Sequence, residues 1–353
     1  MNLVKKLRST CLLMITAATL SVAMSACAEK KTSLKLLQLN LWHQTTKVPG
    51  GFEGLVSTLE QTDPDVIFFC ETRMEKNHEF VARLKEEMKK KGKIYYGEFL
   101  DMGPMILSKY PVSGLDCEYT QRDLGAKGYI EVAGQKIAIY SVHLDYTHYE
   151  CYMPRGYSGT TWKKMDKPCA NADSVLAANR LSYRDEVIKE FILDAQKEIK
   201  QGNLVIMGGD FNEPSHLDWQ ADTKDLYEHN GLVINWDCSK MLQEAGYIDS
   251  YRRIYPSAVT HPAFTFAAGN KDAKLKDLAW TEGIDDRDRI DFVYFMPSPS
   301  IELKDAVIVG PREDLYIGKI VDGKTQDAIF TPKGTWPTDH KGNLVTFDIT
   351  EKK

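Results

Sequence analysis

The chain has 353 residues and a formal charge of −5, with 43% hydrophobic and 27% charged residues. A mildly acidic balance is not the footprint of a protein that grips nucleic acid through its phosphates, although a bound cation would supply positive charge locally. Beyond the first 26 residues no stretch is apolar for long enough to cross a membrane as a helix.

In chain order, the first segment reads as targeting rather than fold. Lys5, Lys6 and Arg8 form a basic start, followed by an uncharged apolar stretch from Cys11 to Met24, too short for a spanning helix but of signal-peptide length. Small residues then precede Cys27 in Met24-Ser25-Ala26-Cys27, which resembles the lipobox of bacterial lipoproteins. The resemblance implies cleavage after residue 26, lipidation of Cys27 and a protein anchored in the cell envelope, periplasmic or surface-exposed. An ordinary signal peptide cut after Ala26 is the alternative. Cleavage would take the net charge from −5 to about −8, because three cations and no acid leave. Five cysteines would then remain besides Cys27: Cys70, Cys117, Cys151, Cys169 and Cys238. None of their spacings reads as a zinc site.

After a polar spacer over 27–32, strands and helices interleave without repeats. Ser33 to Trp42 (SLKLLQLNLW) and Asp65 to Glu71 (DVIFFCE) are nearly continuous apolar runs, as strands buried on both faces require. Gly54 to Gln61 fits a helix between them. Phe80, Val81, Leu84 and Met88 recur at helical spacing, with Gly92 placed to end that helix. Strands are expected over Ile94–Phe99 and Pro104–Ser108, and a hairpin turns at Ala133-Gly134-Gln135 between Tyr129–Val132 and Lys136–Leu144. Asp145 to Ala172 is a long break rich in Tyr, Gly and Pro. Leu181, Ile188, Phe191, Ile192 and Ala195 mark an amphipathic helix. Later strands are expected at Leu204–Met207, Arg289–Phe295, Ala306–Val309 and Leu344–Phe347. The pattern predicts one layered α/β domain over residues 33–350, with an insert at about 145–172.

Polar residues end several of these apolar strands, where a buried sheet would deliver them to a cleft. They are Asn40, Glu71, His143, Asp210, Asn212, Asp291, Asp339 and His340. Carboxylates, amides and imidazoles of this kind can bind a hard cation and move protons at a phosphate.

The ordered motifs LNLW, SVHLD, GGDFNEP, RIDFVYF and TDH, with a strand ending in Glu71, resemble the endonuclease/exonuclease/phosphatase superfamily across residues 40–340. The resemblance implies a four-layer α/β sandwich, with two central mixed sheets flanked by helices. It implies a Mg²⁺- or Mn²⁺-dependent phosphoester hydrolase, a phosphodiesterase or phosphatase, which the leader would make secreted and membrane-anchored; the acidic balance, the lipid anchor and the aromatic insert favour a small or lipid-linked phosphoester, and a monomer is expected. An extracellular DNase or RNase, with nucleic acid as partner, and a non-catalytic surface binding protein are the alternatives. On that resemblance Asn40, Glu71 and Asp339 hold the metal, Asp210 prepares the attacking water, and Asn212 holds a phosphate oxygen. His340 contacts the phosphate under the control of Asp291. His143 matches the histidine of the DNase and sphingomyelinase branches.

Other features are read more plainly. Arg180 and Arg184 fit ion pairs on a helix flank, or support of the site's edge. Asp285, Asp286 and Asp288 read as solvated loop charges. Trp42 fits core or cleft wall, and the stretch from His261 to Phe266 packing or substrate contact. The 145–172 insert starts next to His143 and is expected at the cleft rim as a substrate selector. A Cys151–Cys169 disulfide could close it, worth roughly 3 kcal/mol by loop entropy; two free thiols are the alternative.

Overall fold

The computed structural model describes residues 29–352 apart from 73–78, 99–102, 121, 123 and 282, so the expected leader and Cys27 lie outside the described residues. Its strands are β1 (Lys31–Asn40), β2 (Val66–Cys70), β3 (Met105–Ser108), β4 (Ser113–Asp116), β5 (Gly125–Val132), β6 (Gln135–His143) and β7 (Leu204–Asp210). They continue as β8 (Ile248–Asp249), β9 (Asp291–Phe295), β10 (Ile301–Val309), β11 (Asp314–Tyr316), β12 (Lys319–Val321), β13 (Ile329–Phe330) and β14 (Gly342–Thr350). The helices are α1 (Gly51–Thr62), α2 (Phe80–Lys90), α3 (Ala172–Asn179), α4 (Arg184–Lys200), α5 (Asp237–Glu244) and α6 (Ser250–Ile254).

Two six-stranded sheets form, ordered β13-β10-β14-β1-β2-β3 and β4-β5-β6-β7-β9-β8, with β11 and β12 as a separate ribbon. Both are mixed. β1 runs parallel to β2 and antiparallel to β14, and β7 runs parallel to β6 and antiparallel to β9.

The layers follow from the two-residue alternation of strand side chains. Leu34 and Leu36 of β1 meet Val66, Phe68, Ile137, Ile139, Ile206 and Val293 in the core between the sheets. Leu37 and Leu39 face the other way and pack with Ile67 and Phe69 against Leu55 and Leu59 of α1 and Leu84 and Met88 of α2. On the second sheet, Tyr140, Val142, Val205 and Met207 pack outward against Val187 and Phe191 of α4 and Leu242 of α5. Helices, sheet, sheet and helices thus make the four expected layers.

Turn chemistry agrees with the sequence in two places. Gly92 has φ 76°, and the N–H groups of Gly92 and Lys93 close α2 on the carbonyls of Lys89 and Met88. Ala133 and Gly134, at φ 53° and 72°, join β5 to β6 in a tight hairpin. The paired glycines of GGD serve close packing. A Cβ on Gly208 would lie 2.8 Å from the Phe68 ring of the opposite sheet, and one on Gly209 only 1.8 Å from the Val142 carbonyl oxygen.

Other expectations need correction. The strand expected over Ile94–Phe99 reduces to a single bridge between Tyr96 and Ser108. Gly97, at φ 120° and pressed against the Ile106 carbonyl, ends the pairing there, and Phe99 lies outside the described residues. Leu181 is 65% exposed and precedes α4, which starts at Arg184.

Cys151 and Cys169 are free thiols, so no disulfide closes the insert. Packing and charge hold it instead. Tyr149, Cys151 and Tyr152 are buried with Trp219, Trp236, Leu278 and Ile284, and Arg155 pairs with Asp288 at 2.7 Å inside the protein. Asp285, Asp286 and Asp288 are therefore not solvated. Asp285 is bonded by Arg287 at 2.7 Å, Asp286 accepts from Tyr152, and all three are buried. Among the described residues no helix is long and apolar enough to cross a membrane.

Candidate active site

Register brings the strand-end residues together. Asn40 lies beside Cys70 across β1 and β2, with Glu71 next in the chain. On the second sheet His143 pairs with Asp210, and Asp210 with Asp291. The two sheet ends meet through Asn40, whose Nδ2 donates to Asp210 Oδ2 at 2.9 Å and to Glu71 Oε1 at 3.2 Å. Beneath them the buried Cys70 thiol donates to the Val142 carbonyl at 3.1 Å and accepts from the Asp210 N–H at 3.3 Å.

Asp291 is boxed in below the surface. Oδ2 lies 2.8 Å from His340 Nδ1, and Oδ1 accepts from Gln38 Nε2 at 2.7 Å. Asn343 Nδ2 donates to Gln38 Oε1 and to the Asp291 carbonyl, both at 3.0 Å. This fixes the His340 ring, whose Nε2 faces Asp210 Oδ2 at 3.8 Å and Asp339 Oδ1 at 4.0 Å. His143 Nε2 faces the same Asp210 oxygen at 3.8 Å. Asn212, at φ 47°, donates its N–H to Asp210 Oδ1 at 2.9 Å and its amide to the Leu144 carbonyl at 3.0 Å.

The charges are strongly coupled. Burial works against a charged His340, but Asp291 and Asp210 prevail and push its pKa up to about 10. Burial, with the Glu71 charge adding, pushes Asp339 up to about 7. Burial and the Asp291 charge raise Asp210. Glu71 moves the other way: burial would raise it, but the imidazoles of His143, His340 and His43 and the His43 N–H outweigh that.

Glu71, His143, Asp210, Asn212, Asp339 and His340 line a cleft of about 440 Å³ together with Trp42, His43, Gly103, Tyr146, Phe266 and Trp280. Asn40 and Asp291 lie beneath them, so all eight residues predicted for the site converge. Trp42 and Phe266 are cleft wall. Sequence reasoning missed Gln38, although it stands two residues before Asn40 in an apolar strand and so shares its face. It also missed Asn343 and Trp280, which no spacing marks.

The turn after β1 is strained. Trp42, His43, Gln44 and Thr45 take φ values of 42°, 56°, 56° and 63°, and Glu71 takes 56°. Left-handed non-glycine residues cost roughly 1–2 kcal/mol each, and such strain gathers at functional sites. The turn is held by His43 N donating to Glu71 Oε2 at 2.8 Å, Gln44 N to the Glu71 carbonyl at 3.0 Å, and Trp42 N to Asn40 Oδ1 at 2.9 Å.

Arg180 and Arg184 part company. Arg180 makes an exposed bidentate pair with Asp237 at 2.8 and 2.9 Å. Arg184 is buried and donates to the carbonyls of Asp145 at 2.7 Å, Thr147 at 2.8 Å and His148 at 2.7 Å. It therefore supports the site's edge, fixing the chain just after His143.

Among the described residues, Asp210, Asp291 and His340 are a cluster whose ligand atoms, all within 4.8 Å of one another, could hold a metal ion. Within that cluster Asp291 has already committed one oxygen to His340 and the other to Gln38. Glu71, Asp210 and Asp339 are the carboxylates that line the cleft.

The sequence profile of the Endonuclease/Exonuclease/phosphatase family matches residues 37–340. An uncharacterized protein of Caenorhabditis elegans is 25% identical over 333 residues, covering 93% of this chain and 96% of its own. Among solved structures, the human nocturnin catalytic domain with bound sulfate superposes with a TM-score of 0.50 at 13% identity, covering 91% of this chain and 96% of that one. D. rerio TDP2 complexed with a single-strand DNA product gives a TM-score of 0.48 at 17% identity, covering 90% and 99%. Matched over most of its length by the family profile, this chain belongs to the Endonuclease/Exonuclease/phosphatase family.

Proposed function

We propose that the chain is a divalent-metal-dependent phosphoester hydrolase, a phosphodiesterase or phosphatase acting on a small substrate as a monomer. The observation that supports this most is the convergence of Asp210, His340 and Asp291 with Glu71 and Asp339 in one cleft.

A hard cation suits the donor set. Glu71 and Asp339 offer oxygen ligands, and the Glu71 charge opposes ionisation of Asp339, a repulsion a cation would relieve. Asn40 holds Glu71 in place through Nδ2 while its Oδ1 accepts the Trp42 N–H, so it orients the metal ligand. When bound, Mg²⁺ or Mn²⁺ would neutralise charge on the phosphate oxygens. Asp210, its basicity raised by burial and Asp291, takes the proton of the attacking water as the new P–O bond forms. His340, charged against Asp291, donates to a phosphate oxygen. Asn212 spends one amide hydrogen on the Leu144 carbonyl and keeps the other for the phosphate. His143 stands ready to protonate the departing ester oxygen as its bond to phosphorus breaks.

The lipid anchor on Cys27 remains part of this reading. β1 enters the fold at Lys31 and reaches the cleft at Asn40, so a tether there attaches at the far end of the sheet, roughly 30 Å from the cleft at about 3.3 Å per residue. That geometry favours a substrate in solution over a lipid of the anchoring bilayer. Cys27→Ala should move the protein from membrane to soluble or precursor fractions; an unmodified N-terminus by intact mass would reject the anchor.

A substrate panel with Mg²⁺ tests the function: bis(p-nitrophenyl) phosphate, sugar phosphates, inositol phosphates, sphingomyelin, plasmid DNA and RNA. Turnover of a small phosphoester is expected. Turnover confined to the DNA and RNA arms would favour the nuclease alternative, and none at all the binding-protein alternative.

A further inference from the structure

The cleft holds more aromatic surface than phosphoester hydrolysis requires. Trp42, Tyr146, Phe266 and Trp280 stand in its wall beside the acidic and imidazole groups. Two of them remain open to water, Tyr146 at 57% exposure and Trp280 at 38%. Large aromatic rings left exposed together next to a polar site are the mark of a surface that meets a ligand.

These rings are also held still. Trp280 packs edge-on against Trp162 at 4.2 Å, Tyr149 at 5.5 Å and Tyr146 at 6.4 Å between centroids. It tilts onto Phe266 at 5.6 Å, and Phe266 in turn lies 5.1 Å from the His340 ring. An unbroken run of aromatic contacts thus leads from the cleft mouth to the imidazole at its floor. The backbone on either side of Tyr146 is fixed by the buried Arg184 guanidinium, bonded to the Asp145 and Thr147 carbonyls. A rigid face of this kind binds without first having to be ordered.

We propose that Tyr146 and Trp280, whose ring planes meet at 73°, form an aromatic corner that selects phosphoesters carrying a flat aromatic ring close to the phosphate, one of the two stacking on that ring and the other meeting its edge. The proposal deepens the hydrolase reading above and rests on it. The ring can be a nucleobase or a simple aryl group, because stacking reads the π-face that both share. A cleft of about 440 Å³ has room for one ring and one phosphate, the scale of a small-molecule site. Aliphatic esters gain nothing from the face.

Calorimetric titration of the Mg²⁺-loaded protein tests this without requiring turnover. The probes are AMP for the nucleobase, benzyl phosphate for the aryl group and glycerol 3-phosphate for the aliphatic control. At least one aromatic probe is expected to bind tenfold or more tightly than glycerol 3-phosphate, on the order of one stacking contact. Trp280→Ala and Tyr146→Ala should each remove most of that preference and leave glycerol 3-phosphate within about twofold. Trp280→Phe and Tyr146→Phe, which keep a ring, should retain it. Which aromatic probe binds better identifies the source of the ring. Equal affinity for all three probes, or alanine variants that weaken all three alike, would overturn the proposal. Such a result leaves the hydrolase reading intact if the substrate panel shows turnover. A silent panel with a preserved aromatic preference would instead overturn that reading.

Discussion

Strand ends make the floor of the cleft, and irregular segments make its rim, with Tyr146 of the insert beside Trp42, Phe266 and Trp280. The floor residues His143, Asp210 and Asp291 are neighbours because three strands pair in one register, and a slip of one residue would turn each to the opposite face. The rim has no such ladder. Arg184 fixes three of its carbonyls, Arg155 pairs with Asp288, and His229 stacks on Trp219 at 3.6 Å beneath it. Floor geometry is therefore distributed over many backbone bonds, whereas rim geometry depends on a few buried side chains. Substitutions in the floor should change kcat far more than substrate affinity. Substitutions in the rim should change stability and substrate affinity together.

The largest effect is expected in the floor. Asp210→Asn and His340→Ala should each lower kcat by at least on the order of 10²-fold, as losing a preorganised transition-state contact does. Asp210→Asn should unfold within a few degrees of wild type, whereas His340→Ala strands the buried Asp291 carboxylate and should unfold at a lower temperature while still folding. A variant of normal kcat and normal fold would remove that residue from the mechanism.

Next comes the rim's main anchor. Arg184→Leu should cost on the order of 3–5 kcal/mol in chemical denaturation, because it strands the buried Glu213, 3.7 Å away, and takes the donor from three part-buried carbonyls. Arg184→Lys should fold better yet raise KM more than it lowers kcat, since an ammonium cannot span those carbonyls. An equal fall in kcat with KM unchanged would show that floor and rim do not separate.

A pH test sharpens the same point. Burial first, and the Arg155 charge second, push His229 down to about 3. The unfolded chain takes up that proton near the ordinary histidine pKa of about 6.5. Between those values the unfolded state binds more protons, so stability falls as pH falls, by about 2 kcal/mol at pH 5. His229→Phe should lose less stability than wild type between pH 7 and pH 5 in urea titrations. Equal losses would place the titrating group elsewhere.

The smallest effect belongs to the other arginine of the pair. Arg180 is exposed and paired on the surface with Asp237, so Arg180→Ala should cost less than about 1 kcal/mol. A loss as large as that of Arg184→Leu would erase the contrast between them.

This contrast also explains what the sequence could and could not convey. The floor was legible because apolar strands that end in a carboxylate, amide or imidazole leave a two-residue rhythm, and all eight predicted residues converge. The layered fold was legible for the same reason. The insert could be read as rich in Tyr and next to His143. Its fastenings could not. Arg184 and the acids at 285–288 look like surface charge in sequence, and only tertiary packing puts their partners within reach and excludes water. The expected disulfide failed similarly: Cys151 and Cys169 have a plausible spacing, but Cys151 is buried in an apolar cluster that needs no crosslink. Gln38 was readable by its alternation with Asn40, and Trp280 was not, because it reaches the cleft from a loop without periodicity.

The central claim is that Glu71 and Asp339 hold a divalent ion that Asp210 and His340 need for hydrolysis. Exhaustive chelation of the purified protein, followed by Mg²⁺ titration with bis(p-nitrophenyl) phosphate as substrate, tests it most directly. Activity should vanish with the ion and return on its addition in the wild type. It should return poorly in Glu71→Gln, with a raised Mg²⁺ requirement, and hardly at all in Asp210→Asn. Full activity in a verified metal-free preparation, or an unchanged Mg²⁺ requirement in Glu71→Gln, would contradict the account.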